Sequence, residues 1–248
     1  MKVLIRNCLH KSDIYIIEEC NLNGLTTAFY KSSTTEDGIK CLRNELQGFN
    51  WYNQQNKNII QVSVICDIDT YCKIKYGYIR GVTYSYIDGI IKNKSHIESI
   101  LNHYSQIWPD SPNKNGLYTI HGDFSMDNVI FSNDSGPVVI DWEHFSQYIA
   151  PIGFDALNLL FEQLWFEDEV SRVSDKTIEY LGSMILFLKS RNCIDHCYLN
   201  CALQKTISFI MDNSYIWHVQ KNKLPILKFN DKEISLIDQK INSYILNN

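Results

Sequence analysis

Three oxygen-bearing side chains stand at spacings that could serve one reaction. Asp123 and Asn128 lie five positions apart, and Asp141 follows a second apolar run. Val129–Phe131 and Val138–Ile140 are β-branched or aromatic and flank a polar turn, which predicts a β-hairpin. Because Asn128 precedes the first strand and Asp141 follows the second, the hairpin is expected to bring them together.

These residue types suit phosphoryl transfer with a divalent cation. Mg²⁺ prefers oxygen ligands and retains several waters, so one carboxylate and one amide can hold it together with nucleotide phosphates. Asp141 and Asn128 offer that pair, and Asp123 could accept the proton of an attacking hydroxyl. Each residue alone is more typical of an ordinary turn, but the three spacings together favour a functional site.

The motifs also resemble a known family. His121-Gly122-Asp123 with Asn128, followed by Ile-Asp-Trp-Glu at residues 140–143, resembles the aminoglycoside phosphotransferase and choline kinase group, which has the protein-kinase-like fold. The resemblance implies that Asp123 is the catalytic base, that Asn128 and Asp141 bind Mg²⁺, and that His121 braces the loop. It further implies that Asp155, predicted at a helix N-cap, ties down the catalytic loop.

The first part of the chain alternates polar turns with β-rich runs around one amphipathic helix, which has Ile39, Leu42, Leu46 and Phe49 at helical spacing. Together with the resemblance, this order predicts an α+β, bilobal protein-kinase-like fold. Residues 1–80 would form a small antiparallel-sheet nucleotide-binding lobe, and residues 81–248 a mostly helical catalytic lobe. The predicted strands are 2–9, 14–20, 25–31, 59–68 and 71–82, with the helix at 36–55.

The resemblance assigns roles in the first lobe. Lys31 would hold the α- and β-phosphates of ATP, and Glu45 would pair with Lys31 in preference to Glu36. Since the turn between the first two strands has no glycine, backbone groups near Ser12, or its hydroxyl, would have to contact the phosphates. Main-chain groups from Ile79 to Gly81 would bind the adenine. A lone lysine or glutamate of this kind is more often solvated.

The remainder of the chain is predicted to be mainly helical, with Ser95 as the N-cap of a helix that ends at Trp108. Glu162 and the run 167–169 form an acidic cluster that could attract a cationic acceptor, although a solvated helix end is the simpler interpretation. The other predicted helices are 155–166, 176–191, 194–213 and 232–246.

Bulk composition excludes several classes. The 248 residues have a formal net charge of −5, so no nucleic-acid footprint is predicted. No apolar run has the length of a membrane span, and no signal peptide is evident, which favours a cytoplasmic protein. The eight cysteines are expected to be free thiols. Cys193, Cys197 and Cys201 would share one face of a helix and be buried in the core, rather than bind a metal.

We therefore predict an enzyme, an ATP-dependent small-molecule kinase that uses ATP and Mg²⁺ and phosphorylates an alcohol. The resemblance implies a sugar or an aminoglycoside-like acceptor, because the motif opens His-Gly-Asp where choline kinases more often have His-Asn-Asp. Choline, ethanolamine or amino-acid kinases remain alternatives, as does a nucleotide-binding pseudokinase. A metal-dependent hydrolase built on His121 and Asp123 is the least favoured. No oligomeric state is predicted.

Overall fold

The structure is a computed structural model that describes residues 4–11, 14–20, 23–56, 60–110, 112–217 and 224–248. The chain divides into two compact units. The first unit comprises Met1–Val82 and Ile130–Phe145, and the second comprises Thr83–Val129 and Ser146–Asn248.

A five-stranded antiparallel sheet with the order β1-β2-β3-β5-β4 forms most of the first unit. Side chains on β5 alternate between buried and partly exposed, as in a strand with one face toward a core. The strands are β1 (Leu4–Lys11), β2 (Ile14–Cys20), β3 (Thr26–Ser33), β4 (Val62–Ile68) and β5 (Tyr71–Gly77).

Helix α1 (Glu36–Gln55) covers this sheet and has the predicted bounds. Its N-cap is Thr35, whose hydroxyl accepts a hydrogen bond from the Gly38 amide at 3.2 Å. Ile39, Leu42 and Phe49 are buried on the face that contacts β3 and β5. The helix therefore forms where the capping residue and the 3.6-residue apolar period agree.

A second sheet of the first unit contains the predicted hairpin. β8 (Val129–Ser132) pairs with β9 (Gly136–Val139) and with the two-residue strand β6 (Gly81–Val82). The predicted strand 71–82 is thus two strands, because β5 ends at Gly77. Beyond the hairpin, Trp142 is fully buried against aromatic rings of α1.

The second unit is mostly helical. Its small sheet pairs β7 (Tyr118–Ile120) with β10 (Ser146–Ala150). Helix α4 buries both apolar and polar residues, since other elements of this unit pack around it. The helices are α2 (Gly89–Lys92), α3 (Lys94–Ile107), α4 (Phe154–Trp165), α5 (Glu169–Arg172), α6 (Asp175–Ser190), α7 (Ala202–Asp212) and α8 (Asp231–Asn247). The predicted α+β class is confirmed.

The predicted N-cap at Ser95 is wrong. Helix α3 begins at Lys94 and has Asn93 in the cap position, so Ser95 lies within the first turn. Asn93 makes no cap bond through its side-chain oxygen either, and its side-chain Nδ2 donates to the Ser85 carbonyl at 3.1 Å and to Gln163 Oε1 at 2.9 Å. A buried tertiary hydrogen bond has here replaced the local one.

The continuous helix predicted over 194–213 is also wrong. A short 3₁₀ turn at His196–Tyr198, capped by Asp195, precedes α7, whose Leu203 amide donates to Asp238 of α8 at 2.9 Å. The three cysteines therefore do not share a helix face. Cys193 is buried, whereas Cys197 and Cys201 are partly exposed.

Within the described ranges, no three His, Cys, Asp or Glu side chains are grouped as a metal site. Among those same residues, no helix is both long enough and apolar enough to cross a bilayer.

Candidate active site

The loop after β7 holds Asp123 through its own neighbours. His121 is fully buried, and its Nδ1 accepts a hydrogen bond from the Asp123 amide at 3.2 Å. Asn128 ends a 3₁₀ turn, and its Nδ2 donates to the Asp123 carbonyl at 2.8 Å and to Oδ2 of the Asp123 carboxylate at 3.1 Å. His121 and Asn128 thus fix the main chain at Asp123, and Asn128 also orients its carboxylate, as a proton acceptor requires.

A buried carboxylate secures the start of this loop. Asp155 accepts hydrogen bonds from the amides of His121 at 2.8 Å and Gly122 at 3.1 Å. Burial raises the pKa of Asp155 to about 7, although both hydrogen bonds act to lower it. The sequence placed Asp155 at the N-cap, but α4 begins at Phe154 after Gly153. Asp155 therefore lies in the first turn and caps the loop amides instead of the helix.

Aromatic packing supports the loop from α3 and the turn that follows it. Phe124 is fully buried, with ring centroids 5.7 Å from Tyr104 and 5.4 Å from Trp108. The Tyr104 hydroxyl accepts a hydrogen bond from the Gly153 amide at 3.2 Å. Rigid elements therefore fix the loop that carries Asp123, as preorganised sites require.

In the first unit, Lys31 lies between two carboxylates. Its Nζ donates to Glu45 Oε1 at 2.7 Å and to Asp141 Oδ1 at 2.6 Å. Burial alone would lower the pKa of Lys31, but the charges of Asp141 and Glu45 outweigh it and raise the pKa above its usual range. Burial raises the pKa of Glu45, and Lys31 opposes that effect. Lys31 is therefore a largely buried cation at every physiological pH.

Asp141 has an unusual backbone. Its φ of 63° lies in the left-handed region, which aspartate tolerates better than most residues. The next residue, Trp142, donates its indole N–H to the Val139 carbonyl at 3.2 Å, and its side chain lies beside Gly48 of α1. The position of Asp141 thus depends on close packing immediately after it.

The other candidates differ in what the structure describes. Gly81 pairs with Ser132, and a Cβ there would lie 2.5 Å from the Phe131 carbonyl oxygen, so this strand pairing requires glycine. Ile79 lines a cavity of about 600 Å³ in the first unit. Ser12 lies outside the described residues. Arg43, on the same helix as Glu45, pairs with Asp67 at 2.8 Å.

Sequence reasoning treated the acidic cluster as one feature, but the structure separates its members. Glu167 accepts a hydrogen bond from the Ile91 amide at 2.8 Å, and Asp168 caps α5. Glu162, on α4, has a buried Oε2 with no hydrogen-bond partner among the described residues. Burial, followed by the charges of Asp123 and Asp127, raises the pKa of Glu162 well above its usual range.

A spacing signal for Glu162 was present in the sequence. Glu162 is seven positions, or about two helical turns, after Asp155, which places both on one face of α4. Asp155 holds the loop of Asp123 from that face. Glu162 therefore belongs with the loop of Asp123.

Comparisons with known proteins agree with the motifs. Residues 95–188 match the model of the phosphotransferase enzyme family, APH. No curated protein sequence matches significantly. Among solved structures, an ethanolamine kinase of Plasmodium vivax superposes with a TM-score of 0.58 at 10% identity, covering 98% of this chain and 82% of the other. At that identity the likeness shows the fold.

These findings bear out the predicted family resemblance and support a small-molecule kinase that acts on a hydroxyl group. The chain has the protein-kinase-like fold, and its residues 95–188 match the phosphotransferase enzyme family.

Proposed function

We propose that this protein is an ATP-dependent kinase that transfers the γ-phosphate to the hydroxyl of a small alcohol. The observation that carries this proposal is the largely buried Lys31, which forms ion pairs with both Glu45 and Asp141. A metal-dependent hydrolase has no need of a buried lysine–glutamate pair, whereas a kinase uses it to hold nucleotide phosphates. The presence of Asp123 favours an active enzyme over a pseudokinase.

The donor groups fit Mg²⁺ chemically. Asn128 directs its amide nitrogen toward Asp123, so its carbonyl oxygen faces the other way and can serve as a ligand. Asp141 supplies a carboxylate, the other type of ligand that Mg²⁺ with a nucleotide accepts. When bound, ATP would supply the transferable phosphoryl group, and Mg²⁺ would offset part of the negative charge of the phosphates.

The roles of the protein groups follow from their chemistry. Asp123 would accept the proton of the acceptor hydroxyl as that oxygen bonds to the γ-phosphorus and the bond from this phosphorus to the β–γ bridging oxygen breaks, so that ADP leaves. Lys31, held by Glu45, pairs with the phosphates, and main-chain groups from Ile79 to Gly81 bind the base. Positioning and charge stabilisation supply most of the rate enhancement.

Glu162 supports an acceptor that carries an ammonium group. A buried carboxylate oxygen without a partner costs free energy, which a charged donor on the substrate would recover. Aminoglycoside-like acceptors carry such a group, as do amino alcohols such as ethanolamine, the substrate in the name of the structural neighbour. We therefore favour a cationic alcohol over a neutral sugar.

An acceptor panel tests the proposal. Purified protein with Mg·ATP would be assayed for ADP release with ethanolamine, choline, homoserine, an aminoglycoside and a neutral sugar. We expect turnover with at least one cationic alcohol and little with the neutral sugar. Nucleotide binding without turnover on any acceptor would support the pseudokinase alternative instead.

Matched variants test the role of Glu162. Glu162→Gln should raise the acceptor KM about tenfold or more, because a desolvated charge pair is lost, and should leave the KM for ATP unchanged. Glu167→Gln is the control, since Glu167 caps a backbone amide; it should change stability but not the acceptor KM. Equal acceptor KM values in the wild type and Glu162→Gln would contradict the assignment.

A further inference from the structure

Two buried polar atoms beside the Lys31–Glu45 pair lack a hydrogen-bond partner among the described residues. They are Oε2 of Glu45 and the hydroxyl of Tyr76. Glu45 uses its other oxygen, Oε1, for Lys31. Buried polar atoms in native proteins are rarely left unpaired, so a pair of such atoms in one place indicates a role that the phosphate-holding set does not explain.

The two residues are neighbours in the first unit. Tyr76 lies on β5, opposite Phe29, and two positions after Ile74, the strand partner of Lys31. Lys31 Nζ is 5.8 Å from the centroid of the Tyr76 ring. After burial, the negative charge of Glu45 is the largest influence that raises the pKa of Tyr76. Tyr76, Glu45 and Lys31 therefore form one contiguous group.

The ring of Tyr76 is fixed, so its hydroxyl cannot move far. Tyr76 is only 7% exposed, and its ring centroid is 5.3 Å from that of Phe49 on α1. Phe49 is one turn after Glu45 on the same helix. The helix therefore presents both the packing partner of the ring and the acceptor for its hydroxyl.

We propose that Tyr76 is a positioning residue for nucleotide binding, whose hydroxyl donates to Oε2 of Glu45 and so fixes the carboxylate that holds Lys31. This inference rests on the proposed kinase function. Tyrosine keeps its proton and can donate it in a hydrogen bond, and an ionised glutamate accepts on both oxygens. Tyr76 acts through Glu45 and Lys31, not on the nucleotide.

Tyr76→Phe tests the proposal because it removes only the hydroxyl and keeps the ring that packs on Phe49. We expect the Kd for Mg·ATP, measured by isothermal titration calorimetry, to rise about tenfold, as for the loss of a hydrogen bond to a charged group. The KM for ATP should rise in parallel, while kcat should change much less. An unchanged Kd would overturn the proposal.

Tyr180→Phe is the matched control. Tyr180 is also a buried tyrosine, and its hydroxyl donates a hydrogen bond to the Lys94 carbonyl at 3.1 Å within the second unit. Loss of this hydroxyl should lower the Tm without changing the Kd for Mg·ATP. If both variants raise the Kd equally, the effect is one of general packing, and the proposal fails.

A double-mutant cycle separates a specific contact from indirect effects. Glu45→Gln alone should weaken Mg·ATP binding, and adding Tyr76→Phe should then weaken it little further, because the partner of the hydroxyl has changed. Additive effects would overturn the proposal. Wild-type protein that binds Mg·ATP but phosphorylates no alcohol would refute the kinase function and leave the role of Tyr76 intact. Wild-type protein that does not bind Mg·ATP would refute both.

Discussion

The two units hold their candidate catalytic groups by different physical means. In the first unit, Lys31 is neutralised by side-chain ion pairs with Glu45 and Asp141. In the second, the carboxylates of Asp123 and Asp155 accept hydrogen bonds from amide groups. No salt bridge joins Asp155 or Glu162 to a cation in the part of the chain that the structure describes. The candidate group of the first unit therefore combines one cation with two carboxylates, whereas Asp123, Asp155 and Glu162 in the second unit are all carboxyl groups.

This difference fits the reactants that the candidate groups of each unit are proposed to bind. A buried lysine suits polyphosphate, whose negative charge can replace that of a carboxylate beside it. A concentration of carboxylates suits a cationic acceptor and a group that must take up a proton. We therefore propose that the group around Lys31 acts in nucleotide binding and the group around Asp123 in the chemical step, and the predictions below test that division.

The largest effect is expected from a crossed comparison of Asp123→Ala and Lys31→Ala. Loss of the general base should lower kcat by roughly 10²- to 10⁴-fold and leave nucleotide affinity nearly unchanged. Loss of the lysine should mainly raise the Kd for Mg·ATP. Steady-state kinetics and calorimetry on both variants would measure this, and the same pattern of losses in both would contradict the division.

The second prediction concerns pH. The folded pKa of Asp155 is raised to about 7, above its unfolded value near 4, so the folded state binds its proton more tightly. Stability contributed by this group is therefore greatest below pH 4 and falls as pH rises toward 7, by at most about 1.4 kcal/mol per pH unit. Urea unfolding from pH 4 to 7 would measure this fall.

Asp155→Asn is the test of that assignment. Asparagine cannot titrate, so the variant should be less stable overall but show a flatter pH dependence between 4 and 7. Glu162 has a raised pKa of the same sign, so Glu162→Gln should flatten the curve as well. An unchanged slope in both variants would exclude these carboxylates as its source.

The third prediction compares one glycine from each unit. A Cβ at Gly48 would lie 2.5 Å from Cβ of Trp142, and one at Gly182 would collide with the ring of Tyr244. Each alanine variant should lose about 1–3 kcal/mol of stability through overpacking. Gly48→Ala should also weaken Mg·ATP binding, because Trp142 adjoins Asp141, whereas Gly182→Ala should not. Thermal melts with calorimetry would distinguish them.

The smallest effect is expected at the Arg43–Asp67 pair. Arg43 donates two hydrogen bonds to Asp67 on the exposed side of α1, and both side chains are largely solvated. Since water screens such pairs, Arg43→Ala should leave both Tm and the Kd for Mg·ATP nearly unchanged. A clear loss of nucleotide binding would show that this helix transmits changes from its exposed face to Glu45.

Local signals in the sequence were sufficient for much of the fold. Helix α1 and the hairpin that precedes Asp141 formed where capping, turn residues and apolar period agreed. The prediction of one continuous helix over 194–213 was wrong because Asp238, more than 30 positions later, caps α7 from another helix. The prediction of Ser95 as an N-cap was wrong because α3 begins earlier, next to Asn93, which bonds Gln163 on another helix of the unit. No pattern in a window of a few residues can predict such partners.

The candidate site, like the fold, was predicted only in part from the sequence. Motif spacing singled out Asp123, Asn128 and Asp141, and the family resemblance added Lys31, Glu45 and Asp155. The direct contact between Lys31 and Asp141, 110 positions apart in sequence, could not be inferred. Glu162 was grouped with residues 167–169 as part of a solvated helix end. Only its burial, which the sequence does not show, distinguishes it from those residues.

The left-handed backbone at Asp141 decides how that position can be studied. Most L-residues pay roughly 1–2 kcal/mol to adopt this conformation, and asparagine pays less. An alanine scan would therefore combine a misfolded turn with a missing ligand and overstate the chemical role. Asparagine keeps the turn and removes only the charge, so it is the substitution whose result can be interpreted.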